Sequence, residues 1–295
     1  MKAEPRPLIL NLLLGAAGRR LAAREAVAAC ALFGIRENSV RVTLARLSAA
    51  GLVEAVDRGE YRLGPGAASL ADDVSTWRDA ERRVRDWNGD WIAAHVGDLG
   101  RSDRAALRAR ARALELLGLR ELDRGLYLRP DNLAGGVAAV RARLLALGLE
   151  PEAAVFVARG FDAARERRAV ALWDGRALTR AYRDTHGRLD AWLARADSLA
   201  LDTAARESFL LGNDAIRQLV FDPLLPAPLV DVDARRAFAD AVARFDAAGH
   251  AIWNRFLRDG VPARASARAR PAPDRQRSAR GAARSSPTAI QETPT

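Results

Sequence analysis

Apolar residues follow two spacings along this chain, and the switches between them mark its elements. Near the start, Leu8, Ile9, Leu12, Leu13 and Leu14 form a helical face that stops at Gly15 and Gly18. A second helix is predicted over residues 22–33, with Val27, Cys30, Ala31 and Leu32 turned inward and Gly34 breaking it. A third is predicted over residues 36–50, where Val40, Leu44 and Leu47 make one buried stripe. Gly51 then takes the usual place just past a helix C-terminus. Residues 52–56 and 60–63 read as short strands joined by the tight turn Asp57-Arg58-Gly59. Helix, glycine turn, helix and hairpin is the spacing of a winged helix-turn-helix. A small bundle with an ornamental hairpin has the same spacing.

Beyond a linker over 64–70, a helix carrying Val74, Trp77, Ala80 and Val84 leads to Trp87-Asn88-Gly89-Asp90-Trp91. A strand is predicted over 91–96, then a helix over 103–117 with Leu107, Ala111, Leu114 and Leu117 on one face. Strands over 119–122 and 126–129 flank Asp123-Arg124-Gly125, before a helix over 137–147 and a strand over 154–158. That order, βαββαβ, is ferredoxin-like. Helices over 177–195, 203–220 and 234–257 follow, with Tyr182, Trp192, Phe238, Phe245 and Trp253 at spacings that suit a core better than a ligand box. The expected fold class is α+β and multidomain. Its parts are a winged helix-turn-helix (1–66), a linker helix with a ferredoxin-like domain (67–165), an all-helical effector or dimerisation domain (166–259) and a disordered Arg-rich tail (260–295).

Composition adjusts this picture in a few places. No run of eighteen apolar residues occurs, so no transmembrane helix is expected. The N-terminus lacks a small-residue secretory cleavage site, and Cys30 is the only cysteine, which excludes a disulfide within the chain. A cytoplasmic protein is expected. The net charge is +10 and almost all the cations are arginine. GC-rich coding explains that choice as well as function does, but a basic balance favours an anionic partner. Residues 261–295 hold seven arginines against Asp274 and Glu292, half the net charge, with no aromatic residue. Such a stretch buries too little to offset its ordering entropy.

The candidate chemistry lies on the outward side of the third helix. With Val40, Leu44 and Leu47 inward, Arg36, Glu37, Asn38, Ser39, Arg41, Val42, Thr43 and Arg46 are left to face a partner. Arginine and asparagine pair bidentately with guanine and adenine edges in the major groove. Ser39 or Thr43 suits a phosphate or a thymine methyl, while Arg58 and Arg62 on the wing suit the minor groove or its backbone. Enzymatic constellations are missing: His95, His186 and His250 are scattered, and no phosphate-cradling glycine loop occurs. The one rival is a metal-dependent nuclease built on the ferredoxin-like part, with Asp98 past the first strand as its carboxylate. No cofactor is expected.

Four stretches in this order resemble the PaaX family of repressors, named for control of phenylacetate catabolism. They are residues 33–47 (FGIRENSVRVTLARL), the Trp87-to-Trp91 pair, residues 127–133 (YLRPDNL) and residues 221–226 (FDPLLP). Together they span the folded region. The resemblance implies a homodimer that binds double-stranded operator DNA and releases it on binding an aryl-CoA thioester. This chain departs from the family's pattern at Arg36, where a serine suited to N-capping usually stands. Its wing is also shorter and less basic.

Overall fold

The computed structural model describes residues 4–14, 20–67, 78–100 and 102–259. Among them the protein is a mixed α+β structure with two sheets. The tail from residue 260, the glycines Gly15 and Gly18, and Val74 and Trp77 of the expected linker helix lie outside the described residues.

The first part runs α1 (Pro5–Leu14), β1 (Leu21–Ala22), α2 (Ala23–Ala31), α3 (Glu37–Ala49), β2 (Val53–Asp57) and β3 (Glu60–Leu63). Pro5 opens α1, where its missing N–H leaves no helical bond unmade. The strands form an antiparallel sheet in the order β1-β3-β2. Leu8, Ile9, Val40, Leu44 and Leu47 are buried together with Ala26, Ala29 and Cys30. Ala31, expected inward, is exposed, because the buried face of α2 runs through Ala26, Ala29 and Cys30. Burial pushes the Cys30 thiol up to about 12.

The second part runs β4 (Trp91–His95), α4 (Arg104–Leu116), β5 (Arg120–Asp123), β6 (Leu126–Pro130), α5 (Gly136–Ala146) and β7 (Ala154–Ala158). Its strands are antiparallel in the order β5-β6-β4-β7. Every residue from Trp91 to Ala94 is fully buried because both faces of β4 are covered. Ile92 and Ala94 pack with α4 and α5 through Leu114, Val140 and Leu144. Trp91 and Ala93 instead join the C-terminal helices, with Trp91 stacked 6.1 Å from Trp173. On α4 the expected Ala111 is exposed and Arg110 is buried in its stead. That arginine reaches Glu150 at 3.1 Å and the Gly100 carbonyl at 3.0 Å, so its charge enters the interior paired. The end of the expected linker helix is instead a 3-10 turn over Glu81–Arg83, with Val84 bridged to Leu133.

The third part is helical: α6 (Ala163–Val170), α7 (Gly175–Leu193), α8 (Leu201–Val220) and α9 (Val232–Asp259). The periodicity of apolar residues missed α6, in which only Ala169 is buried. Its signal is a cap: the Asp162 carboxylate accepts from the Arg165 N–H at 2.8 Å. Helix α9 spans two cores. Phe238, Val242 and Phe245 pack within the C-terminal helices, whereas Trp253, Phe256 and Leu257 close the core of α1, α2 and α3.

Polar side chains lock the second and third parts together. Arg129 is fully buried, donates to the carbonyls of Leu117 and Pro130 and to Asn132 Oδ1, and is pulled down to about 10 by desolvation. Asn132 in turn donates to the Leu224 carbonyl at 2.6 Å, clamping the segment after α8. Arg235 of α9, also fully buried, donates to Glu81 at 2.7 Å and to the Leu225 carbonyl.

Candidate nucleic-acid interface

Helix α3 presents its polar face because three leucine-class positions one turn apart are sunk in the core. Arg36, Glu37, Asn38, Ser39, Arg41, Val42 and Arg46 are exposed, and Thr43 is half-buried. Val42 is 42 % exposed, an apolar side chain on an otherwise polar surface. The helix begins at Arg36 without a side-chain cap, and the Ser39 N–H falls back on the Arg36 carbonyl at 3.0 Å. Glu37 in the first turn complements the helix dipole instead. At the other end Gly51 adopts φ +67°, letting Leu52 N–H close on the Leu47 carbonyl at 3.0 Å.

The cations on this face are not equivalent. Arg41 donates from Nε and Nη2 to Glu37 at 2.8 and 2.6 Å, one helical turn back. Arg62 is paired with Glu54 across the hairpin. Arg36, Arg46 and Arg58 make no ion pair among the described residues. The Thr43 hydroxyl donates to the Ser39 carbonyl at 2.8 Å, so it is engaged within the helix itself. At the hairpin tip Gly59 adopts φ +79°, which its two-residue turn requires. Its carbonyl accepts from the Ala23 N–H at 2.7 Å, so the hairpin is tied to the start of α2. The sequence had placed all these residues on one module, and the fold brings Arg58 and Arg62 onto the hairpin beside α3.

Asp98, the carboxylate of the nuclease alternative, is 97 % exposed in the turn after β4, with His95 Nδ1 3.9 Å away. Among the described residues no three His, Cys, Asp or Glu side chains gather as a metal site.

A second feature was not legible in the sequence. A partly open cavity of about 700 Å³ lies between α1, α8 and α9. Leu12, Leu13, Ile216 and Trp253 give it apolar walls, and Arg20, Arg78, Arg112 and Arg217 enter its lining. Asn11 Nδ2 donates to Asn213 Oδ1 at 3.3 Å, joining α1 to α8 beside it. Its residues come from five distant stretches, so no local motif announces it.

The chain was compared with known proteins. Residues 4–65 match the family described as PaaX-like protein, and residues 173–255 match the PaaX-like protein C-terminal domain. No curated protein matches. Among solved structures, the uncharacterized protein Rv0674 from Mycobacterium tuberculosis is similar at 28 % identity and a TM-score of 0.53. The match covers 83 % of this chain and 98 % of that one. With both family regions present and in order, at the two ends of the described fold, the chain belongs to the PaaX-like family, whose members are transcriptional regulators.

Proposed function

We propose that this protein is a sequence-specific DNA-binding regulator that reads double-stranded operator DNA with a winged helix-turn-helix over residues 1–66. The observation that carries this reading is the outward face of α3, where Asn38, Arg41, Val42 and Arg46 stand exposed together. Arg46 and Asn38 have the donor geometry for guanine and adenine edges, and Val42 fits a thymine methyl. Arg36 and Arg58 supply phosphate contacts, at the helix start and the wing tip. Support for the winged module comes from three helices packed on a sheet of order β1-β3-β2.

Residues 67–165 act in this reading as a ferredoxin-like dimerisation domain. Its support is the strand order, in which the first and third strands of the βαββαβ run are neighbours at the centre. Residues 166–259 form the effector domain. The protein works in the cytoplasm as a homodimer, represses an operon for a phenylacetate-like aromatic acid, and leaves its operator when an aryl-CoA thioester binds. No observation favours the nuclease reading.

Fluorescence anisotropy with the duplex upstream of the chain's own gene tests this. Specific binding should exceed that to a scrambled duplex by about a thousandfold, and its logarithm should fall linearly with the logarithm of salt concentration. Equal affinity for the two duplexes would sink the reading.

A further inference from the structure

We propose that the cavity between α1, α8 and α9 binds an amphipathic organic anion, and that occupancy reaches the reading helix through the ring contacts of Phe33, Phe209 and Trp253. The first half stands on the cavity alone; the second rests on the DNA-binding reading above.

The volume of about 700 Å³ lies within the ordinary range for small-molecule sites, roughly 300–1,000 Å³. The lining divides by chemistry. Leu12, Leu13, Ile216 and Trp253 offer apolar surface, which favours a ring or acyl body. Four arginines reach the same space against only Glu115 and Asp246. Asp246 holds Arg78 at 2.6 Å and Glu60 holds Arg20 at 3.4 Å, whereas Arg217 stands exposed with its guanidinium 5.8 Å from the Phe221 ring. An exposed guanidinium beside an apolar wall selects a carboxylate, sulfonate or phosphate attached to an apolar group. A neutral ligand of the same shape would leave Arg217 unanswered.

The walls of this cavity are also walls of the DNA-reading module. Leu13 and Leu21 line it and belong to the core under α3. Phe209 and Trp253 line it, 6.3 Å apart edge to face, and Phe33 meets Phe209 at 5.3 Å. Phe33 is followed by Gly34, Ile35 and Arg36, and then α3 begins. A body that displaces Phe209 thus acts on a residue three positions before Arg36, the N-cap of α3. Close-packed interiors answer such displacement by stepping to another arrangement rather than by yielding smoothly.

Calorimetric titration with two dyes tests the site: anilinonaphthalene sulfonate, which is anionic, and phenylnaphthylamine, its uncharged counterpart. The sulfonate should bind about tenfold more tightly than the neutral dye. Arg217→Glu, at an exposed position, should weaken the sulfonate by about fivefold and leave the neutral dye within about twofold. Ile216→Trp should weaken both by about tenfold or more by filling the space. Equal affinity for the two dyes, or an Arg217→Glu protein that binds both as the wild type does, overturns the site. Because Arg217 is exposed, that result stands even where Ile216→Trp fails to fold. For the coupling, saturating sulfonate dye should shift duplex affinity by about threefold or more, and Phe209→Leu, titrated with enough dye to saturate the variant, should abolish the shift. A full shift in Phe209→Leu overturns the ring route. If the wild type binds no duplex yet gives the expected dye pattern, the regulator reading falls and the cavity assignment stands.

Discussion

The face of α3 and the junction between β6 and α9 are both built on arginines, and they use them in opposite ways. On α3, Arg41 and Glu37 lie in solvent with side chains 65 % and 57 % exposed. Such a pair contributes about 0.3–0.5 kcal/mol and is screened by salt, so its arginine can be given up to a new partner at little cost. At the junction, Arg235 is fully buried against Glu81 and the Leu225 carbonyl, and Arg129 is enclosed by carbonyls and Asn132. Those guanidiniums have no water to return to. Exposure rather than residue type therefore decides whether an arginine on this chain is free to meet a partner or is fixed in the architecture.

The largest expected effect breaks the buried side of that contrast. Arg235→Met removes the donor to the Leu225 carbonyl and the nearer of two arginines at Glu81, where Arg236 remains at 3.7 Å, and should destabilise the fold by about 3 kcal/mol in urea unfolding. The double variant Arg235→Met with Glu81→Leu should recover most of that loss, since removing both charges removes the uncompensated one. If the double variant is no more stable than the single one, the pair is not the cause. On the exposed side, Arg46→Ala should leave the unfolding midpoint in place and weaken specific operator binding by about 1–3 kcal/mol. An unchanged preference over scrambled duplex would remove Arg46 from base recognition.

This division also explains how much could be read without a structure. The stripe Val40, Leu44 and Leu47 fixed which side of α3 is polar, because helical periodicity acts locally. The alternation of β4 was harder. Its residues 91–94 are buried on both faces, so they read as an unbroken apolar run whose second partner, the C-terminal helices, lies far along the chain. Helix α6 escaped notice because it buries almost nothing, and the burial of Arg110 had no local signal because its partner Glu150 is forty residues away. The cavity was invisible for the same reason: Leu12, Arg112, Ile216 and Trp253 meet only in three dimensions.

A smaller effect sharpens the buried side by pH. The Asp222 carboxyl is buried beside the Tyr182 hydroxyl, and desolvation holds it above the ordinary carboxylate range. The fold thus prefers the protonated form. The contribution of Asp222 is complete below the unfolded carboxyl value, about pH 4, and is lost as pH rises through the higher folded value. Asp222→Asn keeps an acceptor for the Leu224 N–H, now made by Oδ1 at 2.7 Å, without a charge to desolvate. The variant should gain stability relative to wild type between pH 4 and pH 8 in parallel urea melts. A gap that stays constant across that range would mean Asp222 does not titrate in it.

The smallest change in stability accompanies the most direct test of the exposed side. Glu37→Gln removes the carboxylate that holds Arg41 at 2.6 Å, on a surface where the pair is worth less than about 0.5 kcal/mol to the helix. The fold should melt as before. What changes is the charge offered to the duplex: one carboxylate fewer faces the phosphates, and Arg41 is released to them. Nonspecific affinity should rise, and the slope of log affinity against log salt should steepen by about one. Specificity should move the other way if the Glu37–Arg41 pair holds the guanidinium in register with a base edge, since a free arginine finds any phosphate. Should both the salt slope and the ratio of specific to scrambled binding stay where they are, the Glu37 end of α3 does not reach the groove. Operator contact would then be confined to Arg46 and the wing.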